Sequence, residues 1–105
     1  MTFGEKIRWL RKRRNLSQRE LSRMLGIHRN TIIEWEKDDV RPTSNMVYMI
    51  LADYFKLPVG YFKSELTLHS YIMEEVKNLA AQIKSLEIIL KNEKKADDDY
   101  EHFIH

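Results

Sequence analysis

Residues 16–36, with the sequence LSQRELSRMLGIHRNTIIEWE, determine the fold predicted for this chain. Ser17, followed three residues later by Glu20, matches the capping box that opens a helix. Gly26 suits the left-handed turn that ends one, and a second helix is expected over 29–37. Two short helices around a tight glycine turn form a helix-turn-helix. The residues expected to point inward are Leu21, Met24, Leu25, Ile32, Trp35 and, in part, Ile33.

The same stretch resembles the Xre family, the DNA-binding domain shared by Cro and the lambdoid phage repressors. The resemblance covers about residues 3–62 and includes Arg41-Pro42 and Leu57-Pro58-Val59 further along the chain. It implies an all-α fold, a five-helix lambda-repressor-like domain that binds specific double-stranded DNA.

The sequence on either side of the motif predicts the remaining helices of that domain. Thr2 is expected to cap a first helix over about 3–14, and Thr43 a fourth over about 44–55. A short helical turn around 58–62 would close the core. The apolar residues expected on the buried faces of these three segments are Phe3, Ile7, Leu10, Val47, Ile50, Leu51, Phe55, Leu57, Tyr61 and Phe62.

The helix over 29–37 is predicted to read DNA bases, because its polar side chains gather opposite its apolar face. Arg29 suits guanine, Asn30 suits adenine, and Glu34 can accept from cytosine in a major groove. The resemblance places the recognition positions on these three residues, with Ile33 touching a thymine methyl. The alternative is a solvated helix face. Glu34 could instead orient Arg29 or repel the wrong bases.

The start of the second helix is predicted to hold a DNA phosphate. The resemblance places Gln18 where side chain and amide meet the phosphate, and helix N-termini attract anions. His28 is expected to touch phosphate or to cap its helix. The other expected phosphate contacts are Thr31, Lys37, Arg41 and Arg14.

Two further features concern the frame around the motif. The resemblance pairs Arg11 with Glu36 beneath the helices, so this pair is expected to be structural and not a DNA contact. Asp38 and Asp39 stand where many relatives have glycine. Since two carboxylates would repel phosphate, this end of the third helix is expected to point away from the DNA backbone.

The second segment, 67–105, follows a DNA-binding domain of residues 1–66 and reads as one helix over about 70–95, roughly 39 Å long. Its apolar residues are spaced as the a and d positions of heptads, namely Ile72, Val76, Leu79, Ile83, Leu86 and Leu90. β-Branched residues at a with leucine at d favour a parallel two-stranded coiled coil. The alternative is a helix that folds back on its own domain.

The oligomer expected from this segment is a homodimer or a homotetramer. Met73, Ala80, Ile88 and Ile89 widen the apolar stripe beyond what a simple dimer prefers, which favours the tetramer. The acidic tail over 96–105 is expected to be frayed and mobile.

Charge and composition narrow the function. Residues 1–66 carry 13 Lys and Arg against 8 Asp and Glu, a balance of +5, whereas residues 67–105 carry 5 against 8, a balance of −3. A basic first half suits a polyanion. With no cysteine, no secretory signal and no long apolar run, the chain is expected in the cytoplasm and not in a membrane. No metal or cofactor is expected.

The function that these features favour is a transcriptional regulator, most simply a repressor that binds a near-palindromic operator as a dimer or higher oligomer. No helical face gathers a nucleophile, a base and an orienting acid, so an enzyme is not expected. The alternative is an antitoxin or protein-interaction module whose DNA binding is autoregulatory. A protein antirepressor or a toxin would then be a further partner.

Overall fold

The computed structural model describes the backbone of residues 1–104 and the side chains of residues 1–94, and within these residues it contains helices and no strand. The all-α prediction is confirmed. The helices are α1 (Phe3–Arg13), α2 (Gln18–Leu25), α3 (Arg29–Glu36), α4 (Asn45–Phe55), α5 (Val59–Lys63) and α6 (Leu68–Ile104). The chain divides into two compact units, Met1–Leu68 and His69–His105.

The predicted start and end signals of the first two helices are confirmed. The Thr2 hydroxyl accepts from the Glu5 amide at 3.1 Å and caps α1. At the start of α2, the Glu20 amide donates to the Ser17 hydroxyl at 3.0 Å, and the Ser17 amide donates to the Glu20 carboxylate at 3.1 Å. Gly26 ends α2 at φ +67°, a left-handed conformation that glycine adopts without strain. The caps thus set where α1 and α2 begin, and Gly26 forms the turn between α2 and α3.

Three details of the predicted helices are wrong. Ser44, and not Thr43, caps α4, because its hydroxyl accepts from the Met46 amide at 3.2 Å. Met24 does not point inward: 60% of it is exposed. Ile50 is 36% exposed. The residues that are buried follow i, i+3 and i+4 spacing. They are Leu21 and Leu25 in α2, and Tyr48, Leu51, Ala52 and Phe55 in α4.

The core of the first unit is built around aromatic rings that join its helices. Phe3 packs edge-to-face on Trp35 at 5.5 Å between ring centroids, and on Tyr48 at 5.8 Å. The predicted core role of Trp35 is therefore confirmed. On the α5 side, Phe62 contacts Phe55 at 6.2 Å. The aliphatic residues with no exposed surface are Ile7, Leu21, Ile32 and Leu51.

One buried cation, Lys6, was not predicted. Its ammonium group donates to the carbonyl oxygens of Tyr61, at 2.7 Å, and of Ser64. It also lies 4.4 Å from the centre of the Tyr61 ring. Burial, reinforced by the nearby charge of Arg41, lowers the pKa of Lys6 below its ordinary value. Lys6 thus joins α1 to the end of α5 and occupies the last carbonyls of that short helix.

Asp38 replaces the usual glycine in the turn after α3 and has a structural role. Its φ of +61° is left-handed, a conformation that aspartate tolerates better than most residues. Its carboxylate accepts from the Gly4 amide at 2.8 Å and from the Thr2 hydroxyl at 2.7 Å. A negative charge at the start of α1 is favoured by the helix dipole. The close approach requires glycine at position 4, because a Cβ there would lie 2.2 Å from the Trp35 carbonyl oxygen.

Helix α6 is longer than predicted. The predicted end near Lys95 is wrong, since α6 continues to Ile104, and no glycine or proline follows Gly60 to stop it. The expected mobility of the acidic tail falls outside the described side chains. Within α6 the six predicted seam residues are between 42% exposed, at Ile72, and 62% exposed, at Leu90.

Candidate nucleic-acid interface

A basic cleft lies between α1, the start of α2 and α3, with a volume of ≈ 500 Å³. Five cationic side chains and one carboxylate line it. Its lining residues are Arg8, Arg11, Ser17, Gln18, Arg19, Arg29, Ile33, Glu36 and Lys37. The surplus of positive charge in an open, concave surface favours an anionic ligand.

Helix α3 presents two different faces. Ile32 and Trp35 are buried against the domain, at 0% and 2% exposed. Arg29 and Ile33, four residues apart on α3, form one row on its surface, and both line the basic cleft. The predicted reading residues Asn30 and Glu34 form the next row, four residues apart and therefore neighbours on the helix surface, and both are exposed. The structure thus brings all four predicted base contacts onto the outer surface of one short helix.

The N-terminus of α2 opens on the same cleft through Gln18 and Arg19. The first amides of a helix have no partner within it, and they point along the axis away from the helix. The capping box uses the Glu20 amide, whose partner is the Ser17 hydroxyl. The amides of Gln18 and Arg19 therefore remain suited to an anion, and the side chains of Arg8 and Arg29 line the same cleft.

An ion pair between Arg11 and Glu36 holds the floor of the cleft. Two parallel hydrogen bonds of 2.8 Å join the guanidinium to the carboxylate, and a third, of 2.9 Å, reaches the Leu16 carbonyl. Only 12% of the Arg11 side chain and 6% of the Glu36 side chain are exposed. The hydrogen bonds to Glu36 raise the pKa of Arg11 above its ordinary value. The pair joins α1 to α3, and Arg11 also holds Leu16, two residues before α2.

Comparison with known proteins agrees with this architecture. A helix-turn-helix family model matches residues 7–62. The chain belongs to the helix-turn-helix family. The resemblance to its Xre type is confirmed.

Two known proteins are similar to this chain. The chain is 32% identical, over 85 residues, to the cryptic phage CTXphi transcriptional repressor RstR of Vibrio cholerae; the match covers 81% of this chain and 74% of that repressor. A solved structure, the DNA-binding domain of the P22 C2 repressor, is 25% identical with a TM-score of 0.55. That match covers 62% of this chain and 84% of the solved one.

His28 caps the second helix of the helix-turn-helix. Its Nδ1 accepts from the Asn30 amide at 3.2 Å, so a neutral ring that accepts there carries its proton on Nε2. His28 therefore has the capping role that was one of its two expected roles. Its Nε2–H can still donate a hydrogen bond to a phosphate. Thr31, in the first turn of the same helix, is half-buried.

Four predicted phosphate contacts do not line the basic cleft. His28 and Thr31 lie at the start of α3, whereas Arg14 and Arg41 pack elsewhere on the domain. The Arg14 guanidinium donates to the Tyr54 carbonyl at 3.1 Å and sits 4.8 Å from that residue's ring centre. Arg41 lies 5.8 Å from the Phe3 ring and lines a separate hollow beside Asp38. Both guanidinium groups rest on aromatic rings of the domain, an arrangement that favours packing.

Two cleft residues, Arg8 and Arg19, were not predicted. The sequence contains a partial signal for each. Arg8 precedes Arg11 by three residues and therefore shares its helix face, while Arg19 directly follows Gln18 at the start of α2. Arg14, which was predicted as a phosphate contact, faces α4 instead.

The described residues contain no helix both long and apolar enough to cross a membrane. Among the same residues, His, Asp and Glu are nowhere grouped in threes as a metal site would require.

Proposed function

We propose that this chain is a transcriptional repressor that binds specific double-stranded DNA through α3. The observation that carries the proposal is the division of α3 into a buried apolar face and an exposed polar face beside the basic cleft. A helix of this kind fits a major groove with its polar side chains toward the base edges. The similarity to two repressors, RstR and P22 C2, supports the same function, and we propose that the protein acts with the DNA in the cytoplasm.

The proposed base contacts are Arg29, Asn30, Glu34 and Ile33. Arg29 donates two hydrogen bonds to guanine, and Asn30 exchanges a pair with adenine. Glu34 accepts a hydrogen bond from cytosine. Ile33, which lines the cleft together with Arg29, packs on a thymine methyl. No charged partner holds Arg29 in the structure described for residues 1–94, so its full donor capacity remains for DNA.

The proposed phosphate contacts surround these readers. Gln18, Thr31, His28 and Lys37 were predicted from the sequence, and the structure adds two arginines, Arg8 and Arg19. Arg14 and Arg41 are left out because their guanidinium groups rest on rings away from the cleft. Contacts of this class fix the register of the protein on the duplex and make its affinity depend on salt, without selecting a sequence.

The protein is proposed to bind its operator as a dimer through α6. A single helix-turn-helix contacts few base pairs, and a two-fold dimer reads two half-sites of a near-palindrome. The exposed seam of α6 supplies an apolar surface that a second copy can cover. A tetramer built from two such dimers would use the wider stripe through Met73 and Ile89.

Substitution of Arg29 by alanine tests the proposed role. The operator is first obtained by selection from random duplexes, and affinity is then measured on it and on unrelated DNA. We expect Arg29→Ala to cost about 1–3 kcal/mol on the operator and to relax preference at one base pair, with a much smaller loss on unrelated DNA. Lys77→Ala, which removes an exposed charge from α6, should change neither affinity. Equal losses on both DNAs would make Arg29 a phosphate contact.

A different outcome would favour the antitoxin alternative. If the purified protein selects no duplex by itself, yet co-purifies with a second protein through α6, the repressor proposal fails and the protein-interaction role replaces it.

A further inference from the structure

The length of α6 brings two polar residues into the heptad register of its seam. The predicted seam begins at Ile72 and ends at Leu90. Because α6 spans Leu68–Ile104, the same register places His69 at the a position before Ile72 and Glu93 at the d position after Leu90. Both residues are exposed in the single chain. A second copy that covers the seam therefore has to accommodate one histidine and one glutamate at its ends.

A parallel pair fits these end positions poorly. In parallel pairing each seam residue meets its own counterpart, and two-stranded parallel coils prefer β-branched residues at a and leucine at d. The seam breaks this preference at both ends, with Ile72 at d and Leu90 at a. Parallel pairing also places Glu93 against Glu93, a like-charge contact at a position that should be apolar.

An antiparallel pair removes every one of these conflicts. When one helix is reversed about Ala81, each a residue meets a d residue that lies equally far from that point. Ile72 then meets Leu90 of the second copy, and the two inner layers are Val76 with Leu86 and Leu79 with Ile83. Each layer contains one β-branched side chain and one leucine, so the layers are matched in size.

The polar ends become complementary in the same arrangement. His69 and Glu93 are each twelve residues from Ala81, so reversal places the imidazole of one chain beside the carboxylate of the other. Two such contacts form, one at each end of the seam. Near the two-fold axis, Ala80 flanks the seam with a small side chain, which allows the two helices to approach closely.

We propose that α6 pairs with a second copy of the chain in antiparallel orientation, centred on Ala81. The proposal rests on the dimer proposed above and specifies its geometry. At 1.5 Å per residue, the two His69 residues lie about 36 Å apart, at opposite ends of the pair. A parallel pair would instead bring both His69 residues together at one end.

Cysteine cross-linking tests the orientation, since the chain has no cysteine of its own. Ile72→Cys and Leu90→Cys are made as separate full-length proteins. Each variant by itself, and a mixture of the two, is oxidised with oxidised glutathione. We expect the mixture to form a disulfide between the two variants within minutes. Leu90→Cys alone should remain uncross-linked, because in the antiparallel pair its two copies are about 27 Å apart along the axis, far beyond disulfide reach. Lys84→Cys, outside the seam, is the control and should not cross-link.

The two proposals fail in distinguishable ways. Rapid homodisulfides in Leu90→Cys and in Ile72→Cys, with a dimeric mass, would overturn the antiparallel orientation and leave the dimer intact. A monomeric mass for the unmodified protein, with no cross-link in any sample, would overturn the dimer and with it the orientation.

Discussion

The two units of this protein use the same helical spacing of apolar residues with opposite results. In Met1–Leu68 the apolar faces of α1 to α5 cover one another, and residues such as Ile7 and Phe62 have no exposed surface. In His69–His105 the seam of α6 is exposed, by 56% at Ile83. A helix buries its apolar stripe only against another element. The first unit supplies those elements from its own sequence, whereas we propose that a second molecule supplies one for α6.

The largest expected effect is on the second unit alone. Ile83→Asp places a charge at the centre of the proposed seam in either orientation, where burial without a partner is strongly unfavourable. We expect the oligomer to dissociate completely at micromolar concentration, as measured by sedimentation. Lys84→Asp, an equal addition of negative charge outside the seam, should leave the oligomer intact.

The same variant tests whether the units are independent. Both tryptophans, Trp9 and Trp35, lie in the first unit, so their fluorescence reports its unfolding. Ile83→Asp should leave that denaturation midpoint unchanged. An unchanged mass would refute α6 pairing, and a large shift of the midpoint would show that the first unit also depends on α6.

The next effect belongs to the first unit. Phe62→Ala removes a ring that has no exposed surface and contacts Phe55 and Tyr61. A loss of about 3–5 kcal/mol in the free energy of unfolding is expected. Met46→Ala removes an apolar side chain that is 68% exposed, and it should change stability by less than about 0.5 kcal/mol. Similar losses in the two variants, measured by denaturant unfolding, would contradict the assignment of the core.

A smaller loss is expected from the ion pair beneath the cleft. Glu36→Ala leaves Arg11 partly buried with only the Leu16 carbonyl as partner, a loss of about 3 kcal/mol, at the low end for a buried pair because Arg11 keeps some contact with water. Glu34→Ala, on the exposed face of the same helix, should be nearly neutral for stability and weaken operator binding. If Glu36→Ala melts like the parent but loses DNA binding, Glu36 acts at the interface and not in the frame.

Sequence predicted the local elements of the first unit well because their signals are local. The capping box at Ser17 and Glu20 and the left-handed turn at Gly26 depend on neighbours within the same helix, and both are present. The face that each helix buries depends on distant residues. Met24 and Ile50 are apolar and lie near the buried stripe. The surrounding helices cover their neighbours Leu25 and Leu51 but leave these two side chains exposed.

The site was predictable only where it depends on one helix. The exposed face of α3 with Arg29, Asn30 and Glu34 follows from the period of that helix alone. Arg8 lines the cleft because α1 packs against α3, and the Arg14 guanidinium instead reaches the Tyr54 carbonyl of α4. Both depend on packing between helices that are distant in sequence. Asp38 likewise caps α1 from 34 residues away, which no local pattern announces.

The smallest expected effect concerns the turn of the helix-turn-helix, where the first unit depends on backbone conformation and not on packing. Gly26 has φ +67°, and a Cβ added there would meet nothing within 4 Å. Gly26→Ala should therefore cost only the strain of a left-handed alanine, about 1–2 kcal/mol of unfolding free energy. Gly26→Asn should lose less, because asparagine is tolerated in this conformation. Gly4→Ala is the contrasting variant, since its Cβ would meet the Trp35 carbonyl oxygen at 2.2 Å and should cost more. Equal costs at Gly4 and Gly26, measured by the same tryptophan-monitored unfolding, would show that the turn too is held by packing.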